Sequence, residues 1–304
     1  MDRKRTAMTL WCLGSINLDR FYHVPHIPAP GETLAARRLT TGIGGKGANM
    51  AVAAARAGAR VVLIGAVGSD GAWARDRLSE WGVDTRYVAS VEGPTGHAVI
   101  VLAEDGENTI VIHAGANAML SEAPLGAAFA EAAAGDWCLI QNETTLQSEG
   151  ARRARAAGLS VAYAAAPFTA EAAMTMAPLC DLMILNRVEM EQLAAATGRG
   201  PAAQGVARVV VTEGADGAVL YAADAPQGVR VAALEVEAVD TTGAGDTFTG
   251  YLLAGLAAGL AASEAMTWAA KAGALMVTRH GTADAIPTID EVARKFGGEG
   301  NLGG

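Results

Sequence analysis

Short apolar runs alternating with helical stretches constrain this chain more than any other feature of its 304 residues. The runs are LWCLGSI (10–16), VVLIGAVG (61–68), WCLIQ (137–141), LSVAYAA (159–165), DLMILN (181–186), ARVVVT (207–212) and GAVLYA (217–222). They are too short for helices and too uniformly apolar for strands with one wet face, so they read as strands buried on both sides. Helical patterns lie between most of them. One runs from Gly45 to Ala59, another passes through Trp73 and Leu78 to Trp81, and two Ala-rich ones cover about 245–259 and 263–278. Repeated strand–helix alternation predicts an α/β fold, with a central, mostly parallel sheet and helices on both faces. No internal repeat or long linker interrupts it, so residues 1–304 read as one domain.

Two segments break this texture. GHAVIVLAEDGENTIVIH (96–113) is a pair of alternating runs around Asp105-Gly106, a hairpin signal. FYHVPHIPAPGE (21–32) carries three prolines and reads as an edge strand or flap. Together, about 18–40 and 95–114 predict a small, discontinuous β-sheet lid. The start, MDRKRTAMT, reads as a frayed tail and not a signal peptide, and the glycine-rich end GGEGNLGG is expected to be disordered.

Charge and reactive residues narrow the function. A net charge of −9 disfavours nucleic acid or a membrane surface as partner, because phosphate backbones need a basic footprint. A small nucleotide stays open, since main-chain amides and a metal ion can hold it. Cys12, Cys138 and Cys180 are far apart and sit in apolar runs, as buried thiols of a reducing compartment do. The five histidines lack zinc-site spacing.

Two glycine-rich segments carry the chemistry. TGIGGKGAN (41–49) contains GxGxxG at Gly42, Gly44 and Gly47, but LAARRLTT before it is no buried central strand and no acidic residue ends the next strand, against a dinucleotide fold. Gly45-Lys46 is followed by Gly47, so it is no Walker A loop either. A helix start with Lys46 and Asn49 in its first turn remains, suited to hydroxyls or an anion. VDTTGAGDTFTGYLLAG (239–255) places Gly243, Ala244 and Gly245 before a long apolar helix, so their amides form an anion hole. Asp246 opens that helix, where the dipole favours its ionised form. Amides for a moving phosphoryl group, beside a base for a hydroxyl proton, are what phosphoryl transfer to an alcohol requires.

With GIGGKGANMAVAAARAG (42–58), VDTTGAGDTFTGYLLAG, and GSINLD, PAPGET, HAGAN, LNRVEME and VTEGADG in order, the chain resembles the ribokinase-like (PfkB-type) carbohydrate kinases from about residue 10 to 287. The resemblance implies an ATP-dependent kinase using magnesium, cytoplasmic, with a small sugar as acceptor. Asn17, Asp19, Gly45, Lys46, Asn49 and Glu143 match sugar-binding positions. Asn186 matches a phosphate contact, Glu189 the water shell of magnesium, and Thr212, Glu213, Gly214, Ala215, Asp216, Gly217 and Gly245 the ATP site. Asp246 matches the catalytic base. Asp240, Thr242, Met276, Arg279 and Gly281 match a monovalent-cation site for potassium.

The chain departs from the family pattern at Ala285, where a serine is usual, at Ala270 for a histidine of the adenine pocket, and at AYAAAPF for Asn-Pro-Ala-Pro; around 198–206 a surface helix looks truncated. The implied acceptor is the primary C5 hydroxyl of D-ribose. Fructose, a nucleoside or a sugar phosphate are alternatives within the family. An NAD-dependent oxidoreductase and a non-catalytic sugar-binding relative are the alternatives outside that chemistry. The exposed hairpin edge predicts a homodimer through the lid.

Overall fold

A computed structural model describes residues 8–297; the glycine-rich end beyond Gly297, and the start up to Ala7, lie outside the described residues. The strands are β1 (Thr9–Leu13), β2 (Asn17–Val24), β3 (Arg38–Gly44), β4 (Arg60–Val67), β5 (Val83–Ser90), β6 (Gly96–Ala103), β7 (Asn108–His113), β8 (Trp137–Ile140), β9 (Ser160–Ala164), β10 (Leu182–Asn186), β11 (Arg208–Thr212), β12 (Ala218–Ala222) and β13 (Ala225–Val231). The α-helices are α1 (Lys46–Arg56), α2 (Ala72–Glu80), α3 (Glu122–Glu131), α4 (Gln147–Ala156), α5 (Ala170–Met176), α6 (Arg187–Thr197), α7 (Ala244–Ala257), α8 (Ala262–Met276) and α9 (Ile289–Phe296).

Nine strands form one sheet in the order β13-β12-β11-β10-β9-β8-β1-β4-β5. All its pairs are parallel except β11–β12 and β12–β13. The strands are buried on both faces because alternate side chains serve two apolar layers. Leu10 and Cys12 of β1 join a layer with α1, α7 and α8, whereas Trp11 and Leu13 join one with α3 to α6. The order reverses at β1, which lies between β4 and β8. A crevice therefore opens beyond the carboxyl ends of β1 and β8, where sheets of this kind hold ligands.

The smaller sheet has the order β3-β2-β6-β7. Here the structure corrects one expectation: β2 is an interior strand, paired with both β3 and β6. The prolines at 25, 28 and 30 fall after β2 ends, so none removes a ladder donor. Around 201–203 the chain makes only a single 3₁₀ turn before β11. No described helix is long and apolar enough to cross a membrane.

Small residues set the spacing of α1 against α7. A methyl group on Gly250 would lie 2.5 Å from both Ala53 Cβ and the Met50 carbonyl oxygen. Gly250→Ala should therefore force the helices apart and destabilise by about 1–3 kcal/mol, the usual range for overpacking. A melting temperature equal to that of the parent chain would refute this.

Candidate active site

Helix α1 starts without a side-chain cap of its own, because Gly45 occupies the N-cap position. Its free N–H groups are met from across the crevice. Glu143, just past β8, accepts the Lys46 N–H at 2.9 Å and the Ser15 hydroxyl. Ser15 Oγ in turn accepts the Gly47 N–H at 3.2 Å, and the Ser15 carbonyl accepts the Ala48 N–H at 2.8 Å. One oxygen of Glu143 is thus committed to the helix start, where the dipole favours a carboxylate.

Asn17 and Asp19 lie two apart on β2 and share a face. The Asp19 carboxylate rests against the Gly44 α-carbon, where a Cβ would come within 2.0 Å of Oδ2. Asn49 Nδ2 donates to Asp246 Oδ2 at 2.8 Å, joining the first turns of α1 and α7. The Asn49 Oδ1 atom is buried without a partner among the described residues. Lys46 makes no ion pair among the described residues, yet its charge is close enough to favour the ionised forms of both Asp246 and Glu189. Residues 17, 19, 46, 49, 143 and 246 therefore share one crevice.

Burial sets the electrostatics of this cluster. It raises Asp19 to about 7, helped by the Glu143 charge. It also raises Asp246 above the ordinary aspartate range; Lys46 and the Asn49 bond pull the other way, and Glu143 adds to the rise. The helix start that favours an ionised Asp246 is thus opposed by loss of water.

A raised carboxyl makes folding proton-linked. The folded chain holds the Asp19 proton more tightly than the unfolded one, so this stabilisation is complete below about pH 4 and is lost as the pH rises through about 7. Asp19→Asn removes that dependence. The stability difference between parent and variant should shift in the variant's favour between pH 4 and 7, followed by denaturant titration; a difference constant with pH would contradict it.

At the other end of the crevice, Gly243 caps α7 in the left-handed region (φ 73°). In this turn the Ala244 N–H reaches the Thr241 carbonyl at 3.3 Å, while those of Gly243, Gly245 and Asp246 have no acceptor among the described residues. Three unpartnered donors around one spot make a ready anion hole. A cavity of about 470 Å³ runs from Ala244 and Gly245 to Ala270 and Val277 of the α8 region. Thr212, Gly214, Ala215 and Gly217 line it as well.

Two residues matched to the ATP site point elsewhere. Glu213 is paired with Arg230, and Asp216 with Arg187 at 2.5 Å, so their side chains brace the loop from outside the cavity. Asn186 and Glu189 form a reciprocal capping box on α6, at 2.9 and 2.7 Å, and neither lines the cavity. Burial raises Glu189, against the Asn186 N–H and Lys46.

Of the residues matched to a cation site, Asp240 and Thr242 precede α7, Met276 ends α8, and Arg279 and Gly281 follow it. Asp240 accepts the N–H of Thr242 at 2.9 Å and of Gly281 at 3.5 Å. Burial would raise Asp240, but these bonds outweigh it and hold the carboxyl low. The Met276 carbonyl accepts the Arg279 N–H at 3.0 Å, and the Arg279 guanidinium turns to the Ala285 carbonyl and Glu291. The Asp240 carboxylate therefore supplies a charged oxygen here, whereas Ala285 supplies no hydroxyl.

Residues 8–289 match the model of the pfkB family carbohydrate kinases. The chain is 35% identical to the ribokinase of Haemophilus influenzae over 298 residues, 93% of this chain and 96% of that one. It is 32% identical to a deoxyribokinase of Salmonella typhi over 300 residues, covering 93% and 97%. The structure of Arabidopsis thaliana ribokinase with ribose and ATP superposes with a TM-score of 0.84 at 29% identity, covering 95% of this chain and 98% of that one.

Proposed function

This chain belongs to the pfkB family of carbohydrate kinases and is a phosphotransferase with an alcohol group as acceptor; from that premise we propose that it transfers the γ-phosphoryl group of ATP to the C5 hydroxyl of D-ribose. The observation that carries the reading is the convergence of Asn17, Asp19, Asn49 and Glu143 around the buried Asp246, whose neighbour Gly245 lines the 470 Å³ cavity. Amide and carboxylate groups offer donors and acceptors to vicinal hydroxyls, and a neutral pentose needs no cluster of basic residues.

Asp246 takes the proton as the sugar oxygen attacks the γ-phosphorus and the bond to the β-phosphate oxygen breaks. The amides of Gly243, Gly245 and Asp246 bind the charge on the moving group. Magnesium bound with ATP would neutralise phosphate charge, with Glu189 near its water shell. Asp240, Thr242, Met276, Arg279 and Gly281 would hold potassium next to the anion hole. The small sheet acts as a lid whose closure excludes water and so prevents idle hydrolysis of ATP. ATP chemistry and three free cysteines fit a cytoplasmic enzyme.

An ADP-release assay across ribose, 2-deoxyribose, fructose, adenosine and ribose 5-phosphate tests the reading, run with potassium and again with sodium. Ribose should give the highest kcat/KM, and potassium the faster rate. Silence with all five acceptors would defeat the kinase reading, preference for another acceptor the choice of ribose, and equal rates in both salts the cation site.

The lid also supports a homodimer. Strand β7 is a sheet edge, and its Ile110, Val111 and Ile112 are 53%, 63% and 61% exposed. Edges of this kind call for cover. Light scattering should give twice the 30.9 kDa chain mass; a monomer mass removes the proposal.

A further inference from the structure

The Asn17 amide can offer the crevice a donor or an acceptor, and Asn117 decides which. Asn117 sits in the short 3₁₀ helix Gly115–Met119 and is 2% exposed. Its Oδ1 accepts the Ile16 N–H at 2.9 Å, and its Nδ2 donates to the Ile16 carbonyl at 3.1 Å. A main-chain N–H can only donate and a carbonyl can only accept, so these two bonds fix which end of the Asn117 amide is which. The same Nδ2 group also donates to Asn17 Oδ1, at 2.8 Å.

That bond occupies the acceptor end of Asn17. Its Nδ2 has no partner among the described residues, and it is not sealed from solvent as the buried unpartnered atoms are. There is no slack in the arrangement. A Cβ on Gly96 would lie 2.1 Å from Asn117 Nδ2 and 2.5 Å from Asn17 Oδ1.

We propose that Asn117 is a positioning residue for the acceptor site: it makes Asn17 an obligate donor, so that Asn17 and Asp19 present one donor and one acceptor to neighbouring hydroxyls. This rests on the sugar-site reading above. It defines the ligand class as a polyol whose oxygen at Asn17 accepts a hydrogen bond; an ammonium group there, which can only donate, is refused.

The test is a double-mutant cycle on KM and kcat, using the fastest of the five acceptors. Asn117→Ala frees the Asn17 amide to turn over, and should raise the acceptor KM about tenfold, the worth of roughly one hydrogen bond. The KM for ATP and kcat should stay within about twofold. In an Asn17→Ala background the same change should add nothing, because its effect passes through Asn17. An equal rise in both backgrounds, or no rise at all, overturns the proposal. If Asn17→Ala alone leaves the acceptor KM unchanged, or no acceptor turns over, the sugar-site reading fails first and takes the proposal with it. Should the alanine variant not fold, Asn117→Asp keeps the acceptor for the Ile16 N–H, removes the donor to Asn17, and is judged by the same comparison.

Discussion

Asp246→Asn should lower kcat by about a thousandfold, the middle of the range for loss of a positioned base, while ATP still binds with nearly its original affinity. An asparagine fits the same space, and its amide oxygen can still accept from Asn49 Nδ2, which lies 2.8 Å from Asp246 Oδ2. The cavity proposed for ATP is lined by Ala244 and Gly245 and not by the carboxylate, so its walls are unchanged. What disappears is the group that takes the hydroxyl proton. Burial already disfavours the ionised form of Asp246, so a neutral amide should leave Tm unchanged or raise it, as happens where an active site is held in a costly state. Steady-state rates, ATP titration calorimetry and a thermal melt separate these effects. A kcat within tenfold of the parent enzyme would remove Asp246 from the role of base, whatever the melt shows.

The parts of the fold that were legible are those with one physical cause. Strands β1, β4 and β8 to β12 announce themselves because both faces are apolar, and α7 and α8 because alanine and glycine permit close packing. Strand β5 (VDTRYVAS) and strand β13 (APQGVRV) were not legible, since each is an edge of the large sheet with part of its length in water. Mixed polarity hides a strand.

The site divides in the same way. Asp246, Lys46 and Asn49 follow from glycine-entered helix starts, a local pattern. Ser15 and Asn117 do not, although both lie inside recognised motifs. Their roles depend on partners 128 and 101 residues away, Glu143 and Ile16, and spacing carries no such information. Glu213 and Asp216 show the converse. They lie in a segment that lines the cavity, but Arg230 and Arg187 draw their side chains aside, and only coordinates reveal that competition.

Above about pH 8, where Asp19 is ionised, Gly44→Ala should weaken acceptor binding by about 1.5–3 kcal/mol, the range for hydrogen bonds to a charged group, or roughly 10- to 150-fold in KM. Gly44 has an ordinary extended conformation at the end of β3, so the backbone itself would tolerate alanine. The obstacle is across the pleat. Asp19 pairs in register with Gly42, and its carboxylate leans over the Gly44 α-carbon, so the new methyl would sit 2.0 Å from Oδ2 and 2.7 Å from Cγ. The backbone of β3 cannot yield easily, because the Thr282 hydroxyl holds the neighbouring Ile43 carbonyl at 2.7 Å. Asp19 must therefore swing away, taking the acceptor half of the sugar cradle with it. The proposed base and anion hole lie at the start of α7, on a different element, so kcat at saturating acceptor and the KM for ATP should hold within about threefold. A joint fall of kcat and both affinities would mean that the methyl had disturbed the fold and not the carboxylate. An unchanged acceptor KM would mean that Asp19 does not touch the acceptor.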